Sequence, residues 1–217
     1  MNEDIVNYLN EIRRDFSGKP LTEESVCKDP IEQYAIWFEE AVNAQLLDPY
    51  AMSLTTVSVK GQPSTRIVYM RGIKAGGFVF YTNYKSDKGR NLEGNNKVAL
   101  NFFWGELERQ VRVEGEAEKL SESDSDVYFN QRPRESQIGA WASSQSTEIT
   151  SRKQLEEQVA FYTEKFKDIK VSRPAHWGGY VVKPTKIEFW QGRPSRLHDR
   201  IIYSKEGNDW KQSRISP

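Results

Sequence analysis

The densest group of chemically capable residues lies near the C-terminus. The 13 residues from Glu188 to Arg200 contain three arginines, a tryptophan and one of the chain's two histidines. If a strand starts at His198, alternation places Arg196, His198 and Arg200 on one face. Positive groups held side by side repel each other unless an anion lies between them. This stretch therefore predicts an anion-binding site.

A second candidate anion site lies at Ser86-Asp87-Lys88-Gly89-Arg90. A serine, a lysine and the free backbone N–H groups of a probable helix start are the usual components of a phosphate cradle. The alternative interpretation is a solvated basic turn. Arg66 and Arg71 flank a short apolar run before it, and their odd spacing predicts opposite faces of a strand.

Two further clusters offer polar groups of the same kind. Arg132 and Arg134 stand beside Ser136, and arginine binds phosphate through two parallel hydrogen bonds. Gln110 shares a strand face with Arg112, and a glutamine amide can bond the edge of a heterocycle. Taken singly, each of these residues is equally at home in an ordinary loop or on an ordinary surface.

Composition excludes several classes of protein. Lysine plus arginine equals aspartate plus glutamate at 31 each, so net charge gives no reason to expect a nucleic-acid partner. One cysteine and two histidines exclude a disulfide, a cysteine zinc cluster and a three-histidine metal site within the chain. The glycine-rich nucleotide motifs, the GxSxG elbow and HExxH are absent. With no long apolar run and no signal-like start, we expect no membrane partner and a cytoplasmic location.

The elements that must position these residues are mainly strands. A helix begins at Asp29-Pro30, because aspartate suits the N-cap and proline the first helical position. Strands rich in Val, Ile, Thr, Phe and Tyr follow, joined by short turns that favour antiparallel pairing. These strands are predicted at 51–59, 65–71, 78–82, 98–104, 110–119, 179–182, 186–191, 199–204 and 210–214. Further helices are predicted at 3–16, 121–131 and 151–167. Residues 1–28 are expected to be a mobile arm, and residues 29–217 a single domain built on a barrel or sandwich.

Several of these stretches together resemble one family. They are Arg66-Ile67-Val68, Phe80 to Asn83, Leu107 to Val111, Tyr128-Phe129, Arg132 to Arg134, Ser136 to Trp141, Trp177 to Gly179, Ile187 to Gly192 and Arg196 to Arg200. In order and spread they resemble the pyridoxine/pyridoxamine 5′-phosphate oxidases, from about residue 30 to the C-terminus.

The resemblance implies a mainly β, antiparallel FMN-binding split β-barrel with flanking helices. It implies a homodimer with FMN at the subunit interface. The implied reaction oxidises pyridoxamine or pyridoxine 5′-phosphate to pyridoxal 5′-phosphate. Molecular oxygen accepts the electrons and leaves as hydrogen peroxide, and the amine substrate also releases ammonia.

The resemblance also assigns roles by position. The implied FMN contacts are Arg66, Ile67, Val68, Tyr69, Met70, Arg71, Tyr81, Thr82, Ser86, Asp87, Lys88, Gln110, Gln145, Ser146, Trp190 and Arg200. The implied substrate contacts are Arg13, Arg71, Tyr128, Arg132, Ser136, Arg196, Leu197 and His198. Arg196 and His198 match the pair that holds the pyridine ring, and Asp48 matches an acidic residue near the reacting carbon. Whether Asp48, His198 or water takes the substrate proton stays open.

Three positions depart from the family pattern. Arg71 stands where lysine is common, Asp87 where arginine is frequent, and Phe16 where a tyrosine is often found in the N-terminal arm. The first change keeps the charge and alters its geometry. The Asp87 carboxylate would oppose a bound phosphate unless it points away.

Two other functions stay open from the residues alone. A split-barrel reductase using NAD(P)H, or a flavin carrier, would keep Arg66, Lys88 and Gln110 without needing the substrate set. A noncatalytic pyridoxal-phosphate binding protein would keep the substrate set without oxidation.

Overall fold

The computed structural model describes residues 2–12 and 14–217, which form six α-helices and nine strands. The helices are α1 (Glu3–Glu11), α2 (Pro30–Asn43), α3 (Asp87–Gly94), α4 (Glu122–Gln131), α5 (Arg134–Ala142) and α6 (Arg152–Lys165). The strands are β1 (Ala51–Val57), β2 (Pro63–Tyr69), β3 (Gly72–Lys74), β4 (Gly77–Asn83), β5 (Lys97–Trp104), β6 (Arg109–Lys119), β7 (Trp177–Gln191), β8 (Asp199–Glu206) and β9 (Asp209–Arg214). Within the described ranges, no helix is both long enough and apolar enough to cross a bilayer.

The described chain divides into two compact units made of interleaved segments. The first unit contains residues 1–49, 103–112 and 187–217. The second contains residues 50–102 and 113–186. Strands β5, β6 and β7 each contribute residues to both units.

The second unit is built on an antiparallel sheet with strand order β2-β1-β5-β6-β7-β4-β3. Strand β1 pairs with β2 through Ser53 and Ile67 and with β5 through Ser53 and Asn101. Alternate residues of β1 are buried, as a strand with one core-facing side requires. Phe78, Phe80 and other apolar side chains of β4 lie in the core. Most of the antiparallel strands predicted from the sequence are confirmed, with ends shifted by a few residues, and β3 has no counterpart among the predicted strands.

One strand prediction is wrong. Strands expected at 179–182 and 186–191 form a single strand, β7. Pro184 interrupts the hydrogen-bonding pattern locally, since proline has no N–H. The neighbouring strand approaches closely at this point, because a Cβ on Gly115 would lie 2.3 Å from the carbonyl oxygen of Lys183. A glycine in β6 therefore gives room for β7 to continue.

The first unit is held together by α2 and by the β7–β8–β9 ribbon. Asp29 caps α2 by accepting from the N–H of Ile31, as expected. The Trp37 ring meets Phe189 edge-on at 5.2 Å, and Phe189 meets Tyr203 at 5.7 Å. These aromatic contacts attach the helix to the ribbon.

The N-terminal segment makes specific contacts within the first unit. The buried carboxylate of Glu108 accepts from the N–H groups of Ser17 and Gly18, each at 2.8 Å. The Tyr203 hydroxyl donates to the carbonyl of Cys27 at 2.7 Å. That residues 1–28 form a mobile arm and residues 29–217 one domain remains a prediction.

Candidate functional site

A cavity of about 920 Å³ lies in the second unit. It is lined by residues from β2, β4, β7, α3, α4 and α5 and from the segments that follow β2, α4 and α5. Twelve of the predicted site residues line it: Arg66, Ile67, Val68, Tyr69, Arg71, Tyr81, Thr82, Lys88, Tyr128, Arg132, Ser136 and Gln145. None of the described residues lining it is an aspartate or a glutamate. The cavity is therefore suited to an anionic ligand.

The helix start predicted at Ser86 is confirmed, and its role as a phosphate cradle stays a prediction. Ser86 caps α3, and its Oγ accepts from the N–H of Gly89. The buried ammonium of Lys88 donates to Thr82 Oγ1 at 3.2 Å and to Gln145 Oε1 at 3.2 Å. Burial lowers the pKa of Lys88, and the positive charge of Arg66 lowers it further. No carboxylate of the described residues forms an ion pair with this ammonium, so a bound phosphate would stabilise it.

Arg66 lies at the same end of the cavity and is held by neighbouring strand atoms. Its Nη1 donates to Thr56 Oγ1 and to the Ser64 carbonyl, both at 2.8 Å, and Nη2 donates to Ser64 Oγ at 2.6 Å. Burial lowers the pKa of Arg66, and Asp87 partly offsets this. The guanidinium is thus fixed in place without a carboxylate partner among the described residues.

The positions predicted to bind the substrate phosphate also line the cavity and add a second cationic group. The Arg132 guanidinium lies 4.5 Å from the centroid of the Trp177 ring, and its buried Nη1 has no hydrogen-bond partner. Burial lowers the pKa of Arg132. The Tyr128 ring stacks on Tyr81 with centroids 3.8 Å apart. An unsatisfied buried guanidinium nitrogen beside a polar cavity fits an anion such as a phosphate.

Arg71 departs from the position that alternation predicts for it. Strand β2 ends at Tyr69, so the odd spacing between Arg66 and Arg71 does not place them on opposite faces. The N–H of Arg71 donates to the Val79 carbonyl at 2.8 Å, and its guanidinium lies 5.1 Å from the Tyr69 ring. Both arginines line the cavity. The end of the strand, not its alternation, sets the direction of Arg71.

Seven predicted cofactor residues lie outside the lining of this cavity, and four of them belong to the second unit. Met70 is buried in the core, and Ser86 acts as the cap of α3. The Asp87 side chain is 63% exposed and pairs with Arg90. Its carboxylate therefore does not line the cavity that would hold the phosphate. Ser146 is exposed and has a left-handed backbone, with φ of 65°.

The remaining predicted residues that the structure describes lie in the first unit. His198 lies 4.7 Å from the Trp190 ring, and the Phe16 ring meets it edge-on at 5.1 Å. His198 Nδ1 accepts a hydrogen bond from the N–H of Arg193 at 3.1 Å. Burial lowers the pKa of His198, and the charge of Arg196 lowers it further. The imidazole is therefore neutral near neutral pH, with its proton on Nε2.

The predicted common face of Arg196, His198 and Arg200 is wrong. Strand β8 begins at Asp199, and Arg196 lies in a short 3₁₀ turn with φ of 61°. Strand alternation therefore does not apply to Arg196 and His198. Arg200 instead forms two hydrogen bonds to the buried carboxylate of Glu188, at 2.8 and 3.0 Å.

Three other predicted positions also lie in the first unit. Gln110 is half-buried on β6, and Leu197 is 69% exposed. Asp48 precedes β1 and has a left-handed backbone, with φ of 48°. Arg13 lies outside the described residues.

The sequence analysis missed part of the cavity lining. The added residues are Asn83, Gln131, Pro133, Gly139, Ala140, Ser143 and Trp177. Several lie on or beside α5, a helix that the sequence analysis did not predict. Ser136, Gly139, Ala140 and Ser143 follow the i, i+3, i+4, i+7 spacing of one helix face. This spacing could have predicted both the helix and the face that lines the cavity.

Comparison with known protein families decides the assignment. The family model described as pyridoxamine 5′-phosphate oxidase matches residues 38–164. The chain belongs to this family. A second model, described as the pyridoxine 5′-phosphate oxidase C-terminal dimerisation region, matches residues 177–217 and implies a homodimer.

Named oxidases of this family align over nearly the whole chain. A pyridoxine/pyridoxamine 5′-phosphate oxidase of Cytophaga hutchinsonii is 52% identical over 96% of this chain and 98% of its own. One of Rubrobacter xylanophilus is 52% identical over the full length of both. The predicted family and the predicted oxidoreductase class are confirmed.

Solved structures confirm the fold. PhzG from Burkholderia lata 383 has a TM-score of 0.87 and 30% identity, over 93% of this chain and 100% of its own. An FMN binding protein of Nostoc punctiforme related to the oxidase family has a TM-score of 0.67 at 14% identity, over 85% of this chain and 97% of its own. The fold is the split β-barrel of the oxidase family, and membership in that family supports a flavin as the cofactor.

Proposed function

We propose that this oxidoreductase uses FMN to convert pyridoxamine or pyridoxine 5′-phosphate to pyridoxal 5′-phosphate in the cytoplasm. Oxygen takes two electrons and two protons and leaves as hydrogen peroxide. With the amine substrate, water supplies the aldehyde oxygen and ammonia is released. The observation that carries the proposal is a single cavity with two cationic groups and no acidic residue in its described lining.

The end of the cavity with Arg66 and Lys88 suits the cofactor phosphate. The Ser86 cap presents the first turn of α3, whose N–H groups and dipole favour an anion. Lys88 is buried among hydroxyl and amide oxygens that carry no full charge. A phosphate bound there would give the Lys88 ammonium a partner of opposite charge, which these neutral groups do not provide.

The end with Arg132 suits the substrate phosphate. Its unpartnered Nη1 and the Ser136 side chain can both donate to phosphate oxygens. Tyr128 adds a hydroxyl, and its stack on Tyr81 fixes the ring. Binding energy from a remote phosphate can then be used to orient the reacting carbon.

Bound FMN would supply the redox chemistry by accepting a hydride from the substrate carbon. The chain's own part is to orient the substrate and to handle its proton. Because His198 Nδ1 already accepts from Arg193, the neutral ring presents Nε2–H and acts as a donor toward the substrate. The candidate proton acceptors are then Asp48 and water.

We further propose that the site is completed across the homodimer. Trp190, Arg196, His198 and Arg200 all lie in the segment that matches the family's dimerisation region. In this arrangement the cavity of one protomer receives that segment from the other, with FMN at the interface between them.

Anaerobic flavin reduction tests the reaction. Protein purified with FMN should lose its yellow colour on addition of pyridoxamine 5′-phosphate without oxygen, and regain it when oxygen is admitted. Bleaching by NAD(P)H alone would identify a reductase. Tight binding of pyridoxal 5′-phosphate with no bleaching would identify a binding protein, and failure to take up FMN would overturn both flavin functions.

A further inference from the structure

The loop from Arg193 to Asp199 in the first unit is closed on itself by an ion pair. Arg193 Nε lies 3.3 Å from Asp199 Oδ2. Inside the loop, Ser195 and Arg196 have φ of 56° and 61°. Non-glycine residues are unfavourable in this left-handed region, so contacts around the loop must hold them there. Such strain is concentrated at positions where geometry matters for function.

The ring of His198 depends on this loop for one of its hydrogen bonds. The N–H of Arg193 donates to His198 Nδ1 at 3.1 Å. A neutral imidazole that accepts at Nδ1 must carry its proton at Nε2. The position of the Arg193 backbone therefore selects the tautomer.

Asp199 is itself fixed from outside the loop. Its Oδ1 lies 2.7 Å from Arg214 Nη1, and its Oδ2 accepts from the N–H of Leu21 at 3.0 Å. Only 19% of its side chain is exposed. With the pair to Arg193, this carboxylate joins β9, the segment before α2 and the His198 loop. These contacts fix the Asp199 carboxylate, and its ion pair with Arg193 restrains the loop.

The aromatic neighbours of His198 do not select its tautomer. The Phe16 and Trp190 rings restrain the plane of the imidazole through packing. Packing against ring faces and edges does not distinguish a protonated from an unprotonated nitrogen as strongly as a directed hydrogen bond does. The N–H of Arg193 is the group in contact with His198 that makes this distinction.

We propose that Asp199 is a positioning residue that holds Arg193 so that its backbone N–H selects the Nε2–H tautomer of His198. The proposal rests on the proposed function, since that function gives His198 its contact with the substrate. Asp199 acts through Arg193 and His198, not on the substrate.

Nitrogen NMR of the ¹⁵N-labelled full-length protein measures the tautomer directly. The chain has two histidines, so His176→Gln assigns the remaining ring signals to His198. Above the pKa of His198, the wild type should show a protonated Nε2 and an unprotonated Nδ1. Asp199→Asn keeps an oxygen for the N–H of Leu21 but removes the charge that faces Arg193. We expect this variant to show a mixture of both tautomers.

Glu206→Gln is the matched control. It makes the same carboxylate-to-amide change on the same β8–β9 ribbon, and Glu206 pairs only with Lys211, at 3.3 Å, among the ion pairs of the described chain. Its tautomer and its activity should equal those of the wild type. Asp199→Asn should lower kcat about tenfold, the loss of roughly one hydrogen bond to an oriented group. Asp199→Glu should restore part of both the tautomer and the rate.

The outcomes separate this proposal from the proposed function. A single Nε2–H tautomer in Asp199→Asn overturns the positioning role, whether or not the rate falls. A mixture of tautomers supports the positioning role. If the rate is unchanged in spite of that mixture, the positioning role stands, but the role of His198 in the proposed function is overturned. If Asp199→Asn does not fold, Arg193→Met removes the same ion pair from the other side, and the same two results decide.

Discussion

Arg132 and Trp177 form a cation–π pair in which the guanidinium carbon lies 4.5 Å from the ring centroid. One guanidinium nitrogen of Arg132 is buried without a partner. The ring thus contacts the guanidinium while its Nη1 stays available to a ligand. This arrangement pre-organises a donor for an anion, since little side-chain freedom is left to lose on binding.

Arg132→Lys should raise KM for pyridoxamine 5′-phosphate by about 10- to 100-fold, because a flexible ammonium does not reproduce the fixed donor direction of the guanidinium. Steady-state kinetics measures the effect. The matched control is the substrate without its phosphate, whose poor kcat/KM should be the same for wild type and variant. An equal loss with both substrates would show that Arg132 supports the fold of the cavity, not the phosphate.

Lys88 should make cofactor affinity depend on pH. Burial and the charge of Arg66 lower its pKa, and a bound phosphate favours its protonated form. FMN affinity should therefore be constant below the lowered pKa and weaken as the pH rises through it. Lys88→Arg should remove this dependence by staying charged, and Lys88→Met should weaken binding by about 10- to 100-fold at lower pH. Fluorescence titration of the apoprotein with FMN at several pH values checks this.

The same shift predicts a stability difference in the apoprotein. Because the folded pKa of Lys88 is lowered, the unfolded chain binds more protons between the folded pKa and the ordinary one. Between these two pKa values the free energy of unfolding therefore rises with pH. Denaturant unfolding at matched pH values measures this. The free energy of unfolding should rise with pH more steeply for the wild type than for Lys88→Met.

Gly89 should not tolerate a side chain. A Cβ there would lie 2.0 Å from the carbonyl oxygen of Tyr84, a backbone atom that cannot move aside easily. We expect Gly89→Ala to destabilise the protein by about 1–3 kcal/mol and to weaken FMN binding, since the first turn of α3 must shift. Gly139→Ala is the control, because a Cβ there meets nothing within 4 Å and alanine favours a helix by about 0.5–1 kcal/mol. Thermal unfolding compares the two variants.

The sequence predicts the elements of this fold better than the directions of individual side chains. Strand alternation identifies β1 because its burial really has period two. Alternation fails for Arg71 and Arg196, since each lies beyond the end of a strand, in backbone that no periodicity describes. The cap at Ser86 could be predicted because its signal is local: a serine followed by the first turn of a helix.

The missed part of the cavity has a different cause. Trp177 contacts Arg132 from a position 45 residues further along the chain. Such a pair is brought together by β7 and α4, and neither local propensity nor spacing contains that information. The family resemblance includes the Trp177-Gly178-Gly179 stretch but gives it no role, so only coordinates could assign one.

Mixed dimers test whether the site is shared between protomers. One chain would carry Arg132→Met in the cavity and the other His198→Asn in the dimerisation region, with different tags so that the heterodimer can be purified. If each cavity is completed by the other protomer, one site of the heterodimer has both changes and the other has none. The heterodimer should then show about half of the wild-type kcat, well above either mutant homodimer. If cavity and His198 of one chain act together, both sites carry one defect, and activity should equal the mean of the two homodimers.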